Sequence, residues 1–161
     1  MAEITFKPIG TVSSPFKQPQ GTPIQAAASK EAQGVIDLLP EYQEGLQDLE
    51  GFSHLILLYH FHLSAGFSLK VKPFLDEQIR GVFATRAPAR PNPIGFSVVR
   101  LERVAGTRLY IREVDIVDGT PLLDIKPYIP RFDCREGARS GWLEKNLEKL
   151  DVARDDGRFL K

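Results

Sequence analysis

The chain has 161 residues, a 42% hydrophobic fraction, 21 basic and 21 acidic side chains, and so no net charge with histidine neutral. That is enough for one domain with a real core, and it excludes a globally basic nucleic-acid binder, so any basic footprint must be local. A lone cysteine, Cys134, excludes an internal disulfide and a multi-thiolate metal site and fits a reducing compartment.

From the N-terminus, no charged stretch is followed by an apolar one as in a leader, and the longest apolar run, Leu55 to Tyr59, is far short of the ~20 residues that span a bilayer. A cytoplasmic protein with no membrane association is expected. Ile4 to Val12 reads as a first strand bent or edge-placed by Pro8. Ser13 to Pro23 is turn-rich and reads as a long surface loop, of the kind that more often carries function than not. A strand is expected at Gly34 to Leu39, broken by Pro40, with a helical turn or two over Glu41 to Leu49.

Phe52 to His62 is the most apolar segment and reads as a buried strand. Period 2 places Leu55, Leu57, Tyr59 and Phe61 on one face and all three histidines, His54, His60 and His62, on the other. Leu69 to Phe74 and Gly81 to Ala84 are further strand candidates. Phe96 to Val104 and Arg108 to Val117 form a hairpin about Ala105-Gly-Thr107. Asp118-Gly119 makes a second turn into a strand at Leu122 to Lys126. Ser140 is placed to cap a C-terminal helix with an apolar stripe of Trp142, Leu143, Leu147 and Leu150, beyond which the charged tail frays. Short strands, Gly/Pro turns and no βαβ alternation predict a mainly β protein: a single β-barrel over residues 1–134, with few short helices, and a C-terminal helical extension over residues 135–161. A Rossmann sheet is disfavoured, because neither Gly-x-Gly-x-x-Gly nor a phosphate-loop sequence occurs.

Between the strands lies Arg86-Ala-Pro-Ala-Arg-Pro-Asn-Pro-Ile-Gly95. Three prolines hold the residues before them extended and remove three backbone donors, which makes a stiff ribbon. It is either a proline-rich connection between two strands with its arginines in solvent, the reading composition alone favours, or a ribbon that presents two guanidinium forks, suited to carboxylate or phosphate, and the amide of Asn92, suited to an adenine edge. His60-x-His62 has the spacing of a metal pair, but no neighbouring carboxylate on the strand supplies a third ligand, so hydrogen-bonding roles are favoured. Ser53, Ser97 and Cys134 lack a nucleophile-elbow context. Asp115, Asp118 and Asp124 flank a tight turn, and Lys126 and Tyr128 alternate onto one face with Asp124. These residues are either a solvated hairpin or a cluster able to hold a ribose or an amine.

Three segments together carry a specific resemblance: Gly51-Phe-Ser-His54 through Phe61-His62, then Gly81-Val-Phe-Ala-Thr-Arg-x-Pro-x-Arg-Pro-Asn-Pro-Ile-Gly95, then Asp118-Gly-Thr-Pro-Leu-Leu-Asp-Ile-Lys-Pro-Tyr128. In this order and spacing they resemble the TsaA-like (TrmO-type) family, whose characterised members methylate N6 of threonylcarbamoyladenosine 37 in the tRNA anticodon loop. The resemblance covers about Ile9 to Tyr128. It implies a β-barrel, S-adenosylmethionine as donor, a homodimer with the cofactor near the subunit interface, and no metal. It also implies cofactor contacts at Ala26, Ala27, Ala28, Leu63, Ser64, Arg86, Phe96, Arg112, Glu113, Val114 and Asp115. On this basis Asn92 and Asp124 are expected as acceptors of the N6 proton, and Arg90, Lys126 and Tyr128 as substrate contacts. The alternatives are a noncatalytic nucleotide- or RNA-binding barrel and, less favoured, a small metal enzyme using His60 and His62.

Overall fold

The computed structural model describes residues 1–160. Six strands close a barrel: β1 (Gly10–Ser13), β2 (Gln33–Leu38), β3 (His54–His60), β6 (Ile94–Ala105), β7 (Arg108–Arg112) and β8 (Thr120–Pro127). Their order round the barrel is β1-β2-β7-β6-β3-β8, with every pairing antiparallel. Closure leaves the barrel no free edge. Two short strands, β4 (Lys70–Val71) and β5 (Arg80–Gly81), form a separate ribbon. The expected mainly β, single-barrel architecture is the one observed.

The core follows from the alternation of each strand. Val12, Ile36, Leu55, Leu57, Val99, Leu109, Ile111 and Leu122 are fully enclosed within the barrel, with Tyr59 nearly so. Tyr59 stands at one end of that stack, and its ring lies against the backbone of Gly95 in β6, where a Cβ would fall inside it. The final glycine of the proline ribbon is therefore a packing requirement.

Several elements are shorter than the pattern suggests. The first strand starts at Gly10, because Pro8 lacks a donor and Ile4 and Phe6 project into solvent. β7 stops at Arg112 rather than continuing to Val117, because Glu113 takes a left-handed φ of 63°. Val82–Ala84 is a turn of 3-10 helix, and the ribbon strand there is only Arg80–Gly81. The continuous helix expected from Ser140 is instead two short 3-10 segments, Gly141–Lys145 and Leu147–Lys149, preceded by one helical turn, α1 (Pro130–Asp133). Ser140 makes no side-chain cap, and the Trp142 indole nitrogen donates to Ala84 O at 2.8 Å. Among the described residues no helix is long and apolar enough to cross a membrane. Lys161, the last residue of the expected extension, lies outside the described residues.

Candidate active site

At the Tyr59 end of the barrel the chain leaves β3 through Phe61–Ser64, enters β6 from the proline ribbon, and passes from β7 into Asp115–Val117. These stretches, with the loop Pro19–Gln25, enclose a cavity of about 260 Å³. That is near the lower bound of small-ligand sites. It is lined chiefly by apolar and aromatic groups, with a few convergent charges: Arg86, Arg90, Asp115 and Asp155.

The left-handed backbone at Glu113 delivers the carboxylate. It turns the chain so that Val114, fully buried, packs over Gly34 and Asp115 follows into the cavity wall. There Ser97 Oγ donates to Asp115 Oδ1 at 2.6 Å, and Tyr59 Oη lies 3.0 Å from the same Ser97 oxygen. Since the one serine proton goes to the carboxylate, Tyr59 must donate to Ser97. Burial pushes the Asp115 carboxyl up to about 6, against the lowering effects of the Ser97 hydroxyl, nearby backbone donors and Arg86. Burial, reinforced by the charge of Asp115, pushes the Tyr59 phenol above its ordinary value, so it remains a neutral donor. Neither Tyr59 nor Ser97 is singled out by sequence: one reads as core on an alternating strand, the other as a serine without a motif.

Arg86 reaches over the opening. Its guanidinium donates to Gln25 Oε1 at 2.9 Å and sits 5.4 Å from the centroid of the Phe96 ring. Arg90 uses one nitrogen to bond the carbonyls of Thr85 and Ala87, both at 3.1 Å, which braces the ribbon while the side chain faces the cavity. His60 ends β3 exposed, whereas His62 lies beyond the strand and turns into the cavity wall. The two therefore do not share one face as strict alternation implies. Burial, with the neighbouring His60 charge, holds the His62 imidazole below its ordinary value and so neutral at pH 7. Among the described residues no group of three metal-ligating side chains converges.

Of the expected cofactor contacts, Leu63, Ser64, Arg86, Phe96 and Asp115 line this cavity. Ala26 is buried beside it, its backbone helping to hold the Asp115 carboxylate ionised, while Ala27 and Ala28 line a separate shallow depression. Arg112 ion-pairs with Glu102 and Glu31 on the barrel wall, and Glu113 and Val114 act through the backbone turn. Asn92 is exposed on the ribbon and does not line the cavity. Neither do Asp124, Lys126 and Tyr128. Asp124 pairs with Lys126 at 2.8 Å on the outward face of β8, and Tyr128 packs edge-on against His54. Asp124 sits opposite Leu58, which in turn sits opposite Phe96. This row runs about 10 Å across two strand spacings from the cavity rim.

The sequence also gave no hint of the tail. Asp155, Phe159 and Leu160 line the cavity instead of fraying, since Gly21 N donates to Asp155 O at 2.7 Å and Asp155 N to Thr22 O at 2.9 Å.

Comparison with known proteins agrees with this architecture. Residues 11–134 match the family described as tRNA-methyltransferase O N-terminal domain. A probable S-adenosyl-L-methionine-binding protein of Pyrococcus abyssi is 61% identical over 157 residues, covering 98% of this chain and 85% of that one. The human tRNA (adenine(37)-N6)-methyltransferase is 35% identical over 149 residues, covering 88% of this chain and 34% of that protein. The crystal structure of TrmO from Pseudomonas aeruginosa superposes with a TM-score of 0.75 at 40% identity, covering 88% of this chain and 63% of that one. The chain thus spans most of its archaeal relative but only about a third of the human enzyme. With its barrel, ribbon and matched segment in one continuous piece, the chain belongs to the tRNA-methyltransferase O N-terminal domain family.

Proposed function

We propose that this protein is an S-adenosylmethionine-dependent methyltransferase that methylates N6 of (threonylcarbamoyl)adenosine 37 in the tRNA anticodon loop. The observation that carries the reading is one cavity that joins an enclosed carboxylate, Asp115, to the guanidinium of Arg86 and the aromatic face of Phe96. These are the groups the donor needs: a cation for its carboxylate, an acceptor for its ribose hydroxyls or amine, and a ring for adenine. The human relative's name, tRNA (adenine(37)-N6)-methyltransferase, supports the tRNA part of this reading, and that of a Pseudomonas aeruginosa relative, putative S-adenosylmethionine-dependent methyltransferase, supports the donor.

The bound sulfonium supplies an activated methyl group, and the protein supplies position. Methyl transfer is an in-line displacement, so holding donor and acceptor in register provides much of the acceleration. Arg86 orients the donor's carboxylate, and Asp115, fixed by Ser97 and Tyr59, accepts a hydrogen bond from it. The acceptor base leaves its stack at little cost in an already single-stranded loop. It approaches along the edge of the outward face, beside the seam between two copies, from the Asp124 end of the row toward the cavity rim at Phe96. Asn92 or Asp124 accepts the N6 proton, and Arg90, Lys126 and Tyr128 contact the substrate.

We further propose a homodimer. Half-buried Ile56, Leu58 and Val98, together with exposed Phe96, lie side by side on the outward face of β3 and β6, an apolar surface suited to a second copy. Residues 1–134 form the catalytic barrel and 135–161 an extension, a division that coincides with the end of the family match. An exposed free thiol at Cys134 fits a cytoplasmic setting.

Mass spectrometry of tRNA nucleosides from a strain deleted for this protein tests the activity. The reading expects loss of the N6-methyl form, restored by the wild-type gene. An unchanged nucleoside profile, with donor binding intact, would favour a noncatalytic binding module.

A further inference from the structure

The tail Arg154–Leu160 lies outside the family match, yet it closes one side of the cavity. It is fastened at both ends. On one side it pairs with the loop Gly21–Pro23 through the two Asp155 backbone bonds and an antiparallel bridge between Pro23 and Arg154. On the other, Arg158 donates to Pro73 O at 3.1 Å and lies 5.0 Å from the Phe74 ring centroid. Phe159 then meets Phe74 edge-on at 5.2 Å and packs on Val71, Val82 and Ala87. Between these fastenings Asp155 lines the cavity.

Asp155 Oδ1 accepts the Gly157 N–H at 2.6 Å, which closes the local turn. Among the described residues no lysine or arginine is ion-paired with this carboxylate, although Arg158 is close in sequence and pairs with Asp156 instead. Burial raises its pKa above the ordinary aspartate value, with the Asp156 charge adding to the effect.

Charge matching gives this residue a role. S-adenosylmethionine carries two positive groups, the sulfonium and the ammonium, and one carboxylate. In the barrel part of the cavity the guanidinium groups of Arg86 and Arg90 face a single carboxylate, Asp115. A second carboxylate is needed before both donor cations have a counter-charge, because a buried cation without one is costly. We propose that the tail is a wall of the donor pocket and that Asp155 is a binding residue for the cationic methionine end of S-adenosylmethionine. The proposal rests on the reading of this cavity as the donor site.

Calorimetry on the full chain tests it with S-adenosylmethionine, with the neutral nucleoside 5′-methylthioadenosine, and with the variants Asp155→Asn and Asp151→Asn. Asparagine at 155 can still accept from Gly157, so the turn survives, and Asp151→Asn makes the same charge change at an exposed position. Asp155→Asn should weaken S-adenosylmethionine binding about tenfold while leaving methylthioadenosine within about twofold, and Asp151→Asn should leave both within about twofold. Three results would overturn the proposal: no loss at Asp155→Asn, equal loss for both ligands, or equal loss at Asp151→Asn. Failure of the wild-type protein to bind S-adenosylmethionine would instead overturn the donor reading beneath it.

Discussion

The Ser97 hydroxyl hydrogen points at Asp115, 2.6 Å away, and Tyr59 closes the chain behind it at 3.0 Å. A carboxylate enclosed at the cavity wall is thereby held ionisable near neutral pH, where burial alone would favour the acid. This relationship sets the pH behaviour of the site. Affinity for S-adenosylmethionine should fall as pH drops through about 6, because protonated Asp115 has lost the charge that faces the donor. Ser97→Ala removes a group that lowers the Asp115 pKa, so the midpoint should move upward. Calorimetric titrations from about pH 5 to about pH 8, a range that brackets the Asp115 midpoint of about 6, check both statements.

The same carboxyl links pH to folding, with the opposite sign. Its native value of about 6 lies above the unfolded one, so the native state takes up the proton first. Its favourable contribution is fully present below about pH 4 and is lost as pH rises through about 6, by at most about 3 kcal/mol. Denaturant melts of wild type and Asp115→Asn should therefore converge at low pH, with the variant the more stable of the two at pH 7. A variant less stable than wild type at pH 7 contradicts this assignment.

Gly95 and Tyr59 are coupled by contact. A Cβ at residue 95 meets the Tyr59 ring and has nowhere else to go inside the barrel wall. Gly95→Ala should cost about 1–3 kcal/mol as overpacking and pull Tyr59 away from Ser97. In a Tyr59→Ala background the added methyl should cost much less, a coupling that a double-mutant cycle reads directly.

Glu113 tests how the backbone aims the site. At φ 63° a β-branched side chain is strained, whereas glycine is not. Glu113→Val should destabilise the protein by about 1–2 kcal/mol and weaken donor binding through displaced Asp115, while Glu113→Gly should leave both nearly unchanged. Equal behaviour of the two variants in chemical melts and calorimetry would show that the turn does not depend on this conformation.

The apolar outward face gives a test of assembly. Leu58→Glu places a charge in the middle of the row between Phe96 and Asp124. Sedimentation should show a dimer for wild type and a monomer for the variant, with the barrel fold retained because Leu58 points away from the core.

Much of this was legible in the residues. Strict alternation located β2, β3, β6 and most of β7 and β8, and the prolines marked the ribbon that carries Arg86. What escaped has identifiable causes. The site's inner partners, Tyr59 and Ser97, obey the same alternation as core residues, so nothing in the pattern separates a hydrogen-bonded wall from packing. A left-handed glutamate ended β7 where its β-branched sequence would have continued it. The bulge between Asp124 and Leu122, opposite Leu58 and Tyr59, shifts the face of β8, and the outward position of Asp124 is set by that register. The tail reads as charged and solvated because its fastening is mostly backbone bonding and one arginine clasp. The stripe from Trp142 to Leu150 has helical spacing, but Trp142 is spent on Ala84 and the ribbon instead of on a helix–barrel seam.

Donor binding in this cavity and methylation of N6 of adenosine 37 can be tested together. The most direct measurement combines the purified protein, S-adenosylmethionine with a labelled methyl group, and tRNA lacking the modification, followed by nucleoside mass spectrometry. Wild-type protein should place label on N6 of the (threonylcarbamoyl)adenosine, and Arg86→Ala should lose it. Binding of S-adenosylmethionine without any label reaching that nucleoside, or full labelling by Arg86→Ala, would contradict this reading.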